Sequence, residues 1–122
     1  MEHRVVIGGC RYFRDYEYFC KWVDYDLQNL CQQGQIVILS GHCAGTDQMA
    51  ERYARERGYG LEVYPADWSM GNRAGPLRNQ LMVDKADYVI AFSSGGRGTA
   101  SLIQCTKQKG IPYRLHDVSN EL

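Results

Sequence analysis

The chain has 122 residues, 44% hydrophobic and 23% charged, and its 14 Lys and Arg balance 14 Asp and Glu to leave no formal net charge. That length makes one domain, residues 1–122, with a real core and no room for two. A neutral chain without a basic block excludes duplex nucleic acid as a partner, and no stretch approaches the roughly 20 apolar residues of a membrane span.

Arg4-Val5-Val6-Ile7 is a short apolar run ended by Gly8-Gly9, which predicts a buried first strand. From Asp15 to about Gln33 the period becomes helical. Phe19, Val23, Leu27 and Leu30 form a core-facing stripe, with Asp15 as N-cap and Gly34 as the stop. Tyr18, Trp22 and Tyr25 make a second stripe, rotated by about 100°. Two readings of it stand: a wide core face, or a homodimer or higher homo-oligomer interface, since interfaces favour Tyr and Trp. Gln35-Ile36-Val37-Ile38-Leu39 is the second strand, followed by the loop Ser40 to Asp47 and a helix that points Met49, Ala50, Tyr53 and Ala54 inward.

Leu61 to Pro65 is a third strand, and Ala66 to Gly75 is the longest loop. Pro76 suits the first turn of a helix running to about Lys85. Tyr88-Val89-Ile90-Ala91-Phe92 is a fourth strand that stops at the glycine corner Ser94-Gly95-Gly96-Arg97-Gly98-Thr99. A last helix from Ala100 to Lys109 and a last strand from Ile111 to Leu115 complete the pattern, with a frayed tail from Asp117 to Leu122. Strands alternating with helices predict right-handed crossovers and a five-stranded parallel sheet with helices on both faces, a three-layer α/β fold.

In such sheets ligands bind beyond the carboxyl ends of the strands. The exit loops of the first four strands are the unusual parts of this chain and are expected to converge. The first N–H groups of a helix lack internal partners and are partly positive, so the corner Gly95, Gly96, Arg97, Gly98 and Thr99 reads as a phosphate cradle. Ser40 and Gly41 offer a second backbone approach, and Gly9 a third. Arg11 and Arg78 are the candidate phosphate cations, and Asn79 the group that reads a base or ribose edge. Asp47 either bonds a ribose hydroxyl or caps its helix. Trp68 either stacks on a base or plugs the core. Asp67 is the acid of the third exit loop, expected near the base or ribose with Asn79 and Trp68, and the candidate general base if the protein is an enzyme.

Five cysteines (Cys10, Cys20, Cys31, Cys43, Cys105) without CxxC spacing favour reduced thiols over disulfides. Together with a strand pattern that begins almost at the first residue, they place the chain in the cytoplasm. His42, Cys43 and Asp47 lack metal-ligand spacing, so neither a metal nor a cofactor is expected.

The stretches Gly8 to Glu17, Ser40-Gly41…Gly45-Thr46-Asp47, Glu51-Arg52-Tyr53-Ala54, Tyr64 to Trp68, Ala74 to Asn79 and Gly98-Thr99, in this order, resemble the YspA/cpYpsA-related branch of the SLOG superfamily. The resemblance spans Val5 to about Val118. It implies a Rossmann-like fold, a pocket for a nucleotide-derived small ligand such as a nucleotide or an ADP-ribose relative, homo-oligomers, and settings of stress, phage defence or counter-defence. The related Lonely guy phosphoribohydrolases carry Pro-Gly-Gly-x-Gly-Thr-x-x-Glu with a catalytic glutamate. Here Ser94 stands in place of the proline and Leu102 in place of the glutamate, so the resemblance keeps the cradle and loses the acid. The branch also usually has Gly-Ala-Arg where this chain has His42-Cys43-Ala44, so one cation is missing. The reading is a sensor or sequestering protein. The alternatives are a nucleoside-monophosphate N-glycosidase using Asp67 and a partner-binding module without a ligand.

Overall fold

The computed structural model describes residues 1–122. The first strand, β1 (Glu2–Gly9), extends beyond its apolar run at both ends. Gly8 and Gly9 stay extended and pair with Ala91 and Phe92 of a later strand, so the glycines end the apolar stripe but not the ladder.

Asp15 caps α1 (Tyr16–Leu27) by accepting from the Tyr18 N–H at 3.1 Å, and Phe19, Val23 and Leu27 form its buried face. The helix expected to run to Gln33 instead breaks after Leu27, and a single turn, α2 (Leu30–Gln33), follows. The chain must drop into β2 (Gln35–Ser40) beside the start of β1. The Gln35 N–H donates to the Met1 carbonyl at 2.9 Å, and Gly34 lies against that same carbonyl with no space for a Cβ.

There follow α3 (Thr46–Arg57), β3 (Gly60–Val63), a 3-10 segment (Trp68–Arg73), α4 (Ala74–Lys85), β4 (Tyr88–Ser93), α5 (Arg97–Lys109) and β5 (Tyr113–Asp117). The five strands form one parallel sheet in the order β3-β2-β1-β4-β5. Side chains alternate across it. Val5, Ile7, Ile36 and Ile38 pack with Phe19, Val23, Ala50 and Tyr53 of α1 and α3, while Val6, Leu39, Val89 and Ala91 pack with Met82, Val83 and Leu102 of α4 and α5. The two layers of helix give the expected Rossmann-like α/β fold, and the strand order reverses between β1 and β4.

The tail is not frayed at its start. Val118 is fully buried, and its N–H donates to the Ser93 carbonyl at 2.8 Å. Just before it, His116 stacks on Phe92 and lies against Trp22, with Nε2 2.6 Å from Asp26. That packing engages part of the second aromatic stripe. Tyr18 sits edge-on to Phe13 and Trp22 covers His116, both half-buried, whereas Tyr25 is exposed. No helix is long and apolar enough to cross a membrane.

One cap joins the two helices of the α4–α5 layer. Lys109 Nζ donates to the carbonyls of Val83, Asp84 and Ala86 at 2.8, 2.7 and 2.9 Å, satisfying the last turn of α4. Lys109→Met is expected to cost about 1 kcal/mol of stability, because the ammonium is exposed and water replaces part of what it loses. Urea unfolding checks this, with the loss confined to the midpoint and no change of slope.

Candidate functional site

A cavity of about 540 Å³ opens where β1 and β4 diverge, the switch point at which such sheets bind ligands. Its walls come from the exit of β1 (Gly8 to Tyr12), the loop after β2 (Cys43) and the start of α3 (Asp47). The 3-10 segment adds Trp68 and Asn72, α4 adds Gly75, Pro76, Arg78, Asn79 and Met82, and the β4–α5 corner adds Ser94, Gly96 to Thr99, Ser101 and Leu102.

The glycine corner behaves as its composition dictates. Gly95 takes φ +94°, Gly96 is the N-cap without a side-chain hydrogen bond, and α5 begins at Arg97, three residues earlier than its apolar pattern suggests. The uncapped first turn of α5 therefore faces the cavity with free N–H groups. Arg97 and Arg11 are both exposed and both line the cavity, and the Arg11 guanidinium lies 5.9 Å from the Trp68 ring centroid. Neither arginine forms an ion pair. Trp68 does not plug the core: it is 55% exposed and lies over Gly75 on the cavity rim.

Other expected ligand groups are committed to the protein itself. Arg78 donates through Nη1 to the Gly41 carbonyl at 2.5 Å and through Nε to Asn79 Oδ1 at 2.9 Å. A Cβ on Gly41 would strike both Arg78 and Asp47, so this glycine makes room for side chains and does not face the cavity. Asn79 is buried and donates to the Gly98 carbonyl and Ser101 Oγ, both at 3.3 Å, tying α4 to the first turn of α5. Ser40 is fully buried and bonds Glu51 Oε2 at 2.8 Å. Asp67 is exposed, accepts from Ser69 N and Oγ, and caps the 3-10 segment. Ser40, Gly41, Asp67 and Gly95 thus lie outside the cavity wall, while Gly9, Arg11, Asp47, Trp68, Arg78, Asn79, Gly96, Arg97, Gly98 and Thr99 are in it.

Asp47 is the one carboxylate that lines the cavity. It is the second residue of α3 and not its N-cap; Gly45 precedes the helix. Oδ2 accepts from the Cys43 N–H at 3.1 Å, and the nearby Gly9 backbone N–H favours the charged carboxylate. Burial pushes its pKa up to about 6, against the pull of those two N–H groups and of the Arg78 charge. Cavity residues outside the expected ligand groups include Cys10, which receives the Ser94 hydroxyl at 3.1 Å, and Cys43, whose Sγ lies 3.8 and 3.9 Å from Arg78 Nη1 and Nη2. His42 points elsewhere: it adopts φ 63° and sets Nδ1 2.8 Å from buried Glu51, outside the wall.

The family model described as the YspA, cpYpsA-related SLOG family matches residues 3–71, which takes in nearly all of β1, then β2 and β3, the exit loops of the first two strands and part of the third. Among solved structures, the X-ray structure of TM1055, a Northeast Structural Genomics Consortium target, superimposes with a TM-score of 0.64 at 20% identity, over 93% of this chain and 72% of that one. At that identity it establishes the α/β fold alone. No curated protein matches the chain.

Proposed function

Because the chain belongs to the YspA, cpYpsA-related SLOG family, a nucleotide-related binding or enzyme family, we propose that it binds a nucleotide or ADP-ribose-type ligand and acts as a sensor or sequestering protein. A stress or phage-defence setting is part of the same proposal.

The observation that supports it most is the uncapped first turn of α5 opening on the cavity, with Arg97 and Arg11 unpaired in its wall. Free N–H groups, a helix dipole and two guanidinium groups are what a phosphate requires. The volume of about 540 Å³ suits a nucleotide-sized guest.

Native mass spectrometry of freshly purified protein, followed by thermal shifts with nucleotides, ADP-ribose and cyclic ADP-ribose isomers, tests the reading. A ligand at about 100 times its dissociation constant adds about 2.7 kcal/mol of stability. A bound nucleotide that survives incubation supports sensing or sequestration. Free base and ribose phosphate appearing with time would replace that reading with a hydrolase, and no shift with any compound would remove the pocket from the account. The proposal includes a homodimer or higher homo-oligomer through Tyr18, Trp22 and Tyr25, which the same spectra report.

A further inference from the structure

We propose that the cavity binds its anion together with a proton: Asp47 is protonated as an anion settles on the first turn of α5, so the site holds its ligand more tightly at lower pH. The inference rests on the anion-site reading above and adds a regulation to it.

The anion seat and the carboxylate share one corner of the cavity. Thr99, in the first turn of α5, is 6% exposed, lines the cavity and makes no hydrogen bond through its hydroxyl, so a buried donor stands beside the free N–H groups. The same turn is tied to α4, where Asn79 donates to the Gly98 carbonyl and accepts from Arg78 Nε. Arg78 and Asp47 approach each other in turn: a Cβ on Gly41 would lie 2.7 Å from Arg78 Nη1 and 2.9 Å from Asp47 Oδ2. On its other side Asp47 meets α5 itself. Its Oδ1 and Leu102 Cδ2 lie 3.2 and 3.4 Å from the place a Cβ on Gly8 would take.

Two negative charges in one corner repel, and the repulsion is relieved when the carboxylate is neutralised. Asp47 is poised for that. It is 5% exposed, and burial already lifts its pKa to about 6. The Cys43 N–H, the Arg78 charge and the Gly9 N–H pull against that rise, and Glu51 of its own helix adds to it. Gly8 and Gly9 of β1 and Leu102 of α5 bring no charge to it. Arg78 stays protonated throughout, and no histidine lines the cavity, so Asp47 is the wall group that answers to pH near 6. Once protonated it becomes an O–H donor, which the oxygens of an anion accept.

The probes are ADP-ribose and inorganic sulfate, because neither changes its own charge between about pH 6 and pH 8. Titration calorimetry of the wild-type chain should show binding about tenfold weaker at pH 8 than at pH 6, the effect of one linked proton whose site titrates near 6 in the free protein. At pH 7, two buffers of different ionisation enthalpy should count at least about half a proton taken up per anion. Asp47→Asn should bind equally at both pH values and, at pH 8, more tightly than wild type; a residue that merely shaped the pocket would weaken binding when replaced. His42→Asn removes the titratable partner of Glu51, which lies outside the wall, and should keep the wild-type dependence. If Asp47→Asn fails to fold, proton uptake that persists in His42→Asn supports the coupling and its loss there overturns it. Binding that ignores pH would overturn the coupling and leave the anion site standing. Dependence that survives in Asp47→Asn would overturn the role of Asp47. Binding of neither probe would overturn the anion site and this inference together.

Discussion

Gly45→Ala is expected to cost at least about 3 kcal/mol of folding stability, the sum of a left-handed backbone and a collision with main chain. Gly45 has φ +72°, where any Cβ is strained. The added Cβ would also lie 2.5 Å from the Arg11 carbonyl carbon and 2.6 Å from the Cys10 oxygen. Those atoms cannot step aside cheaply. The Cys10 carbonyl accepts from Thr46 N at 3.1 Å and from Thr46 Oγ1 at 2.8 Å, so it is the clasp between the β1 exit and the start of α3. Relieving the collision means opening that clasp, and with it the contact of Asp47 with Gly9.

Gly58→Ala provides the control. Gly58 has φ +70° and no atom within 4 Å of an added Cβ, so the substitution should cost only the left-handed term, about 1–2 kcal/mol. Urea unfolding of the two variants separates strain from collision. Equal losses in both would mean that the close approach of the two exit loops is not what Gly45 serves.

The fold was legible because burial imposes a period. Phe19, Val23 and Leu27 recur as a helix must to cover a sheet, and Val5, Val6 and Ile7 are apolar throughout because both faces of a parallel sheet are buried. The place of the cavity was legible for a related reason: parallel strands deliver all their exit loops to one edge. The roles of the polar residues in those loops were much less so. Ser40, Arg78, Asn79 and Asp67 are chemically suited to a ligand, yet Ser40, Asn79 and Asp67 answer to nearer partners, and Arg78 gives two of its five N–H groups to Gly41 and Asn79.

Two signals did exist. Ser40 closes an unbroken apolar run, which places it in the buried part of the strand. Asp67-Trp68-Ser69 is an Asx-type pattern in which the carboxylate returns to its own backbone. The break of α1 after Leu27 left no signal in the apolar period, which continues through Leu30.

Arg97→Ala and Arg78→Ala are expected to fail in opposite ways. Arg97 is exposed and without an ion pair, so its loss should leave unfolding unchanged while weakening a phosphate-bearing ligand by about 10- to 100-fold, the range of a charge-assisted hydrogen bond. Arg11→Ala should act alike, and the double variant should lose more than either. Arg78→Ala removes the donor to Gly41, frees Asn79 Oδ1 and takes the favourable charge from Asp47, for a loss of about 1–3 kcal/mol in stability.

That loss should depend on pH in a definite direction. Asp47 has a folded pKa raised above its unfolded value of 3.8, to about 6, so the folded chain binds the extra proton between those limits and stability falls as pH rises through them. Without Arg78 the folded pKa rises further, and the variant's deficit relative to wild type should grow as pH climbs past about 6. Unfolding curves at several pH values, read beside ligand titrations, distinguish the two arginines. An Arg78→Ala protein as stable as wild type but unable to bind would make Arg78 a ligand cation.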